Sequence, residues 1–128
     1  MHTTAAGKTY PESSFRVDPA RVAAFRAVFD EATGVPATFA TVAEFTVIPE
    51  IVADPEVGID FTRVLHGGQE YTFDRPLREG ETLSIRSKIE SIKEFGGSAF
   101  LVLVTEVAEP DGHVVCTART TLIERAGD

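Results

Sequence analysis

Apolar and polar residues repeat along this chain with two different periods, helical in the first half and alternating in the second. Residues 8–17 read as a first strand or extended arm. Asp18 then suits an N-cap and Pro19 a first helical position, and Val22, Phe25, Val28 and Phe29 follow at helical spacing, predicting a helix with one apolar face. Asp30, Glu31 and Gly34 are expected to end it. A second helix is predicted over 37–48, opened by Val35-Pro36 and stopped by Pro49. Its apolar residues (Ala37, Phe39, Ala40, Val42, Ala43, Phe45, Val47, Ile48) cover nearly every side, which predicts a helix buried all round, with Glu44 its only interior charge. Residues 50–59 read as a connection with a turn at Asp54-Pro55.

Beyond residue 60 the period becomes two. Tyr71 and Phe73 fall on one face of a strand. Leu83, Ile85, Ser87 and Ile89 alternate with Thr82, Ser84, Arg86, Lys88 and Glu90, and the apolar phase slips at Ile92, predicting a bulge or the strand's end near Glu90. Residues 99–104 are apolar without a break, as in a strand covered on both faces. Cys116, Ala118, Thr120 and Leu122 alternate with more polar neighbours in a last strand. Turn chemistry at Arg78-Glu79-Gly80, Phe95-Gly96-Gly97 and Glu109-Pro110-Asp111-Gly112 predicts three hairpin-like connections and an antiparallel meander. A helix apolar on every side and a run of strands needing cover are reconciled by wrapping the sheet round the helix. The expected fold is therefore α+β of the hot-dog type, a single domain over 1–128 with residues 1–6 disordered.

Composition narrows the function. At 43% hydrophobic and 25% charged, 128 residues can bury a core without metal or disulfide staples. Twelve Lys and Arg are scattered among twenty Asp and Glu, for a net charge of −8, which argues against nucleic acid and anionic membrane surfaces as partners. Cys116 is the single cysteine, so no disulfide forms within the chain. Met1 to Lys8 lack the apolar stretch of a signal peptide, and no apolar run reaches the roughly 20 residues of a spanning helix. The expected location is cytoplasmic.

The stretch Leu65-His66-Gly67-Gly68-Gln69-Glu70-Tyr71 through Arg75-Pro76-Leu77 to Gly80-Glu81 resembles the "LHGEQ…RPL…GD" segment of MaoC-like dehydratases, in their N-terminal-type domain. Gly34-Val35-Pro36-Ala37-Thr38-Phe39 is similar to that family's "PPTF" approach to the central helix, and Thr120-Thr121-Leu122 fits its last strand. The resemblance implies a hot-dog fold and a role in (3R)-hydroxyacyl-thioester dehydration or hydration, on acyl carrier protein (ACP) or coenzyme A (CoA). It is closest in kind to the A- or C-type subunits of actinobacterial dehydratases, which pair with a catalytic B-type subunit. It places acyl-thioester contacts on Phe39, His66, Gly67, Gly68 and Gln69, and it implies no cofactor.

Elimination of water from a β-hydroxyacyl thioester needs a base at the α-carbon and an acid at the leaving hydroxyl, both within hydrogen-bond reach. Catalytic relatives carry Gly-Asp-x-Asn-Pro-x-His after the first helix. Here the chain reads Phe29-Asp30-Glu31-Ala32-Thr33-Gly34-Val35-Pro36, with Asp30 at the Asp position and no Asn-Pro-x-His after it. Catalytic candidates are thus reduced to Asp30, Glu44 and His66. Asp30 fits a helix-ending surface residue. Glu44 fits either a thioesterase carboxylate or, more simply, a side chain that tips out at the helix end or pairs with Arg63. His66 fits a structural or subunit-boundary histidine better than a catalytic one. His2 is expected in a frayed terminus and His113 in solvent, and no His or Cys spacing suits a metal. Three functions follow. The first is a noncatalytic dehydratase subunit paired with a homologous hot-dog chain. The second is a self-sufficient thioesterase using Glu44. The third is a noncatalytic homodimer that binds acyl thioesters.

Overall fold

The computed structural model describes residues 1–29 and 33–127. Five antiparallel strands form one sheet: β1 (Ser13–Arg16), β2 (Val64–Phe73), β3 (Thr82–Phe95), β4 (Ser98–Ala108) and β5 (Val114–Glu124), in the order β1-β3-β4-β5-β2. The helices are α1 (Pro19–Phe29), α2 (Ala40–Glu44) and α3 (Ile48–Ala53), and a 3-10 turn at Ala37–Phe39 leads into α2.

The alternation identified in the strands decides which face is inside. Leu83, Ile85 and Ile89 of β3, Leu101, Leu103 and Val107 of β4, and Cys116, Ala118 and Leu122 of β5 are all buried. Phe39, Ala40 and Ala43 pack against one half of that face and Val47 and Ile51 against the other. The helical segment thus runs along the sheet's inner face, as expected for the wrapped fold. The slip at Ile92 is a register shift between Ile89 and Ser91, and β3 continues through it to Phe95. Gly96 and Gly97 join β3 to β4 in a two-residue turn with φ of 60° and 81°, the positive angles such turns require.

Several expectations are corrected. The central helix is not one element over 37–48. Pro49 has no N–H to offer the Phe45 carbonyl and its ring would clash there, so α2 ends at Glu44 and Pro49 sits in the first turn of α3 instead. The segment is also not buried all round, since Phe45, in the break, is 58% exposed. Residues 48–53, expected to be mostly connection, are helical for the same reason.

The strands do not form one simple meander. β3, β4 and β5 follow one another by hairpins, but β2 pairs with β5 at the far edge, so the Arg78-Glu79-Gly80 turn does not join neighbours. The outward residues Phe100, Val102 and Val104 of β4 are half-buried, so that strand is covered on one face only. Residues 1–6, expected to be disordered, are held in place: Ala5 is buried, the His2 amide donates to the Val57 carbonyl at 2.8 Å, and the Gly7 amide donates to Ile89 at 2.8 Å. These bonds offset the ordering cost of the terminus. With Thr9 bridged to Lys88, the segment lines the outer edge of β3 beside β1. Among the described residues, no strand pairs with the outer edge of β2.

Candidate functional site

The edge strand β2 carries the densest polar grouping on the inner face. His66, Gln69, Tyr71 and Phe73 pair with Leu122, Thr120, Ala118 and Cys116, which face the core. An odd and an even position share this face because the register shifts between His66 and Gly68. Gly67 permits the shift. A Cβ there would stand 2.4 Å from Ile123 Cδ1, so the glycine leaves room for the Ile123 side chain, which would have to turn aside for any larger residue.

Glu44, the last residue of α2, reaches into this row and is 1% exposed. Its Oε1 accepts from Gln69 Nε2 at 3.0 Å and from the Tyr71 hydroxyl at 2.9 Å, and its Oε2 accepts from Thr120 Oγ1. Since Tyr71 spends its proton on Glu44, Thr41 Oγ1 is the donor in the short Thr41–Tyr71 contact. Thr120 has a single proton and gives it to Glu44, so Gln69 Oε1, 2.9 Å from Thr120 Oγ1, is left to face His66 Nε2 at 3.1 Å. Glu44 therefore neither tips out into water nor meets Arg63. Arg63 bonds Asp60 at 2.9 Å and lies 3.7 Å from Glu124. A buried carboxylate without a cation is tolerable because neutral donors occupy both oxygens.

The cluster imposes itself on its neighbours. Burial, opposed by the Thr41 hydrogen bond and aided by the nearby Glu44 charge, pushes Tyr71 up to about 12. Burial and the same charge push the Cys116 thiol up to about 11. At the other end of the row, Phe73 lines a cavity of about 320 Å³ with Val35, Ala37, Asp74, Arg75 and Pro76. The inner face of β2 thus runs from a polar end at His66 to this cavity.

The structure brings together Glu44, His66 and Gln69 among the expected site residues, with Gly67 and Gly68 in the bulge beside them. It leaves Phe39 apart, buried in the core with its ring 5.4 Å from Phe25 and 6.4 Å from Phe15. Asp30 lies outside the described residues. His113 is exposed, with Nε2 2.7 Å from Asp74, and His2 bonds the Glu56 carbonyl at 3.1 Å rather than fraying. Sequence reasoning missed Thr41, Tyr71 and Thr120 as members of the cluster. Tyr71 and Thr120 were already assigned to strands, but nothing in their spacing shows that β2 and β5 are neighbours.

The chain matches the model of the FAS1-like dehydratase domain region over residues 5–118. A UPF0336 protein of Streptomyces avermitilis is 39% identical over 73% of this chain, and the match spans 62% of that protein. A UPF0336 protein of Clavibacter michiganensis is 32% identical over 97% of this chain and 79% of its own length. Among solved structures, the C-terminally truncated HadBC (3R-hydroxyacyl-ACP dehydratase) complex of Mycobacterium tuberculosis superposes with a TM-score of 0.82 at 22% identity, covering 96% of this chain and 99% of that one. HtdX of the same organism gives a TM-score of 0.75 at 23% identity, covering 90% of this chain and 51% of that one. These likenesses show the hot-dog fold. With the family model matched over most of its length, this chain belongs to the FAS1-like dehydratase domain region family.

Proposed function

We propose that this chain is a noncatalytic, acyl-thioester-binding subunit of a (3R)-hydroxyacyl-thioester dehydratase or enoyl hydratase, paired with a homologous hot-dog chain that carries the catalytic Asp and His. The observation that carries this reading is the state of the only imidazole in the polar cluster. Among the described residues, His66 has no free acid beside it: the carboxylate nearest to it through the network, Glu44, is buried with both oxygens accepting hydrogen bonds. Adding or removing water needs an acid and a base at one carbon pair, and this cluster offers no such couple. The same commitment of both oxygens counts against Glu44 as a thioesterase nucleophile or base.

The unpaired edge of β2 supports the partner. β2 is ten residues long, with alternate backbone N–H and C=O groups directed outward, and an edge of that length with no strand on it among the described residues invites another strand. Phe61, just before the strand, and Leu65 within it are 71% and 50% exposed. Edge-to-edge pairing of two such sheets would satisfy the backbone groups and cover these side chains.

The test is hydration of a short trans-2-enoyl thioester, presented on CoA and on ACP. It is measured for the chain alone and for the chain co-expressed with a hydratase-motif homologue from the neighbouring genes. Activity only in the co-expressed complex is expected. Full hydratase activity from the chain alone would sink the reading. Thioester hydrolysis lost in Glu44→Gln would favour the thioesterase instead, and a stable homodimer that ignores the homologue would favour a binding module.

A further inference from the structure

The His66 ring is held in one orientation by groups that have no need of it. Nε2 stands 3.0 Å from the Gly68 carbonyl and 3.1 Å from Gln69 Oε1. Gln69 cannot flip its amide to offer a donor instead, because its Nε2 is committed to Glu44 at 3.0 Å and a flipped amide would set its oxygen against the Glu44 carboxylate. Two acceptors facing one ring nitrogen require that nitrogen to carry the hydrogen, so the neutral ring is the Nε2–H tautomer. Nδ1 is then a bare acceptor, with no partner among the described residues, on an exposed side chain. A fixed and vacant acceptor selects a ligand that brings a donor, because its orientation is already set before binding.

The geometry points to His66 Nδ1 as the acceptor for an amide N–H of the pantetheine arm of an acyl thioester, with Gln69 and Glu44 as positioning residues. This rests on the acyl-thioester reading above and adds the polarity of the site. A saturated acyl chain has no donor, whereas the pantetheine arm common to CoA and ACP carries amide N–H groups. The inner face of β2 has a matching asymmetry: polar at His66, and mostly apolar at the cavity roughly 20 Å along the strand, where Val35, Ala37, Phe73 and Pro76 line it beside Asp74 and Arg75. The arm lies at the His66 end and the acyl chain runs toward the cavity.

The test compares two hexanoyl ligands by calorimetry on the full chain: the pantetheine thioester, and the amide-free S-ethyl thioester. His66→Ala, at an exposed position, should weaken the pantetheine thioester about tenfold, the worth of one hydrogen bond, and the ethyl thioester less than twofold. Gln69→Met, which leaves the Gly68 carbonyl as the one acceptor on Nε2, should give a smaller selective loss and, in ¹⁵N NMR at pH 8, a lower share of the Nε2–H tautomer. Hexanoyl-CoA and hexanoyl-ACP, measured in parallel, identify which carrier shows the His66 dependence. The inference is overturned if neither does, if both hexanoyl ligands weaken equally in His66→Ala, or if the loss appears only with a change in association state. If the wild type binds no thioester, the acyl-thioester reading falls with it. If it binds and His66→Ala binds equally well, only the present inference falls.

Discussion

Removing the Glu44 carboxylate tests the packing of the whole site, because three donors from two strands converge on it. In Glu44→Ala, Gln69, Tyr71 and Thr120 all lose a charged acceptor, and each such bond is worth about 1.5–3 kcal/mol when nothing replaces it. Replacement is partly possible. Gln69 is exposed and Tyr71 half-buried, so both can turn to water, while fully buried Thr120 can redirect its proton to Gln69 Oε1, 2.9 Å away. The vacated side-chain volume adds a cavity cost. The total comes to about 3 kcal/mol, a large share of the roughly 5–15 kcal/mol available to a domain. Glu44→Gln keeps the shape and one acceptor oxygen. Its amide can donate to Thr120 Oγ1 while Thr120 donates to Gln69, so the cost falls to about 1 kcal/mol. Urea denaturation, read from the midpoint at unchanged slope, gives both values. A Glu44→Ala protein within 1 kcal/mol of wild type, or one more stable than Glu44→Gln, would refute the reasoning.

Three further outcomes follow from the geometry. Gly67→Ala should destabilise by up to about 1 kcal/mol, since the half-buried Ile123 side chain it meets can turn aside, and the added substitution Ile123→Ala, which removes both clashing atoms, should cancel that coupling in a double-mutant cycle by urea denaturation. Burial raises the Glu81 carboxyl, but the Arg75 hydrogen bonds and the Arg78 amide outweigh it and hold the group below its usual value near 4.5. Its contribution to stability is therefore present above that value and lost as pH falls through the lower folded one, so Arg75→Met should flatten the acid limb of a stability–pH curve. Cys116 is fully buried and raised to about 11, so it should resist thiol reagents at pH 8 in the native chain and react fully only in urea, as followed by chromogenic thiol titration.

The sequence alone determined what depends on neighbours along the chain. Period-two alternation marked the inner faces of β3 and β5, because side chains on a strand must point to opposite sides. Asp18-Pro19 marked the start of α1, and Gly96-Gly97 the tight turn. The missing Asn-Pro-x-His segment was visible as plain spelling. Tertiary structure decided what depends on residues far apart. Pro49 reads equally well as a helix stop or a helix start, and only the packing of α3 against the sheet through Ile51 selects the second. Glu44 reads as an isolated charge until β2 is set beside β5, which brings Gln69 and Tyr71 within reach of it alongside Thr120, 76 residues beyond Glu44. A carboxylate can stay buried only where donors surround it. Those donors belong to two strands that no periodicity shows to be neighbours, so the site exists only once the sheet has closed round the helix.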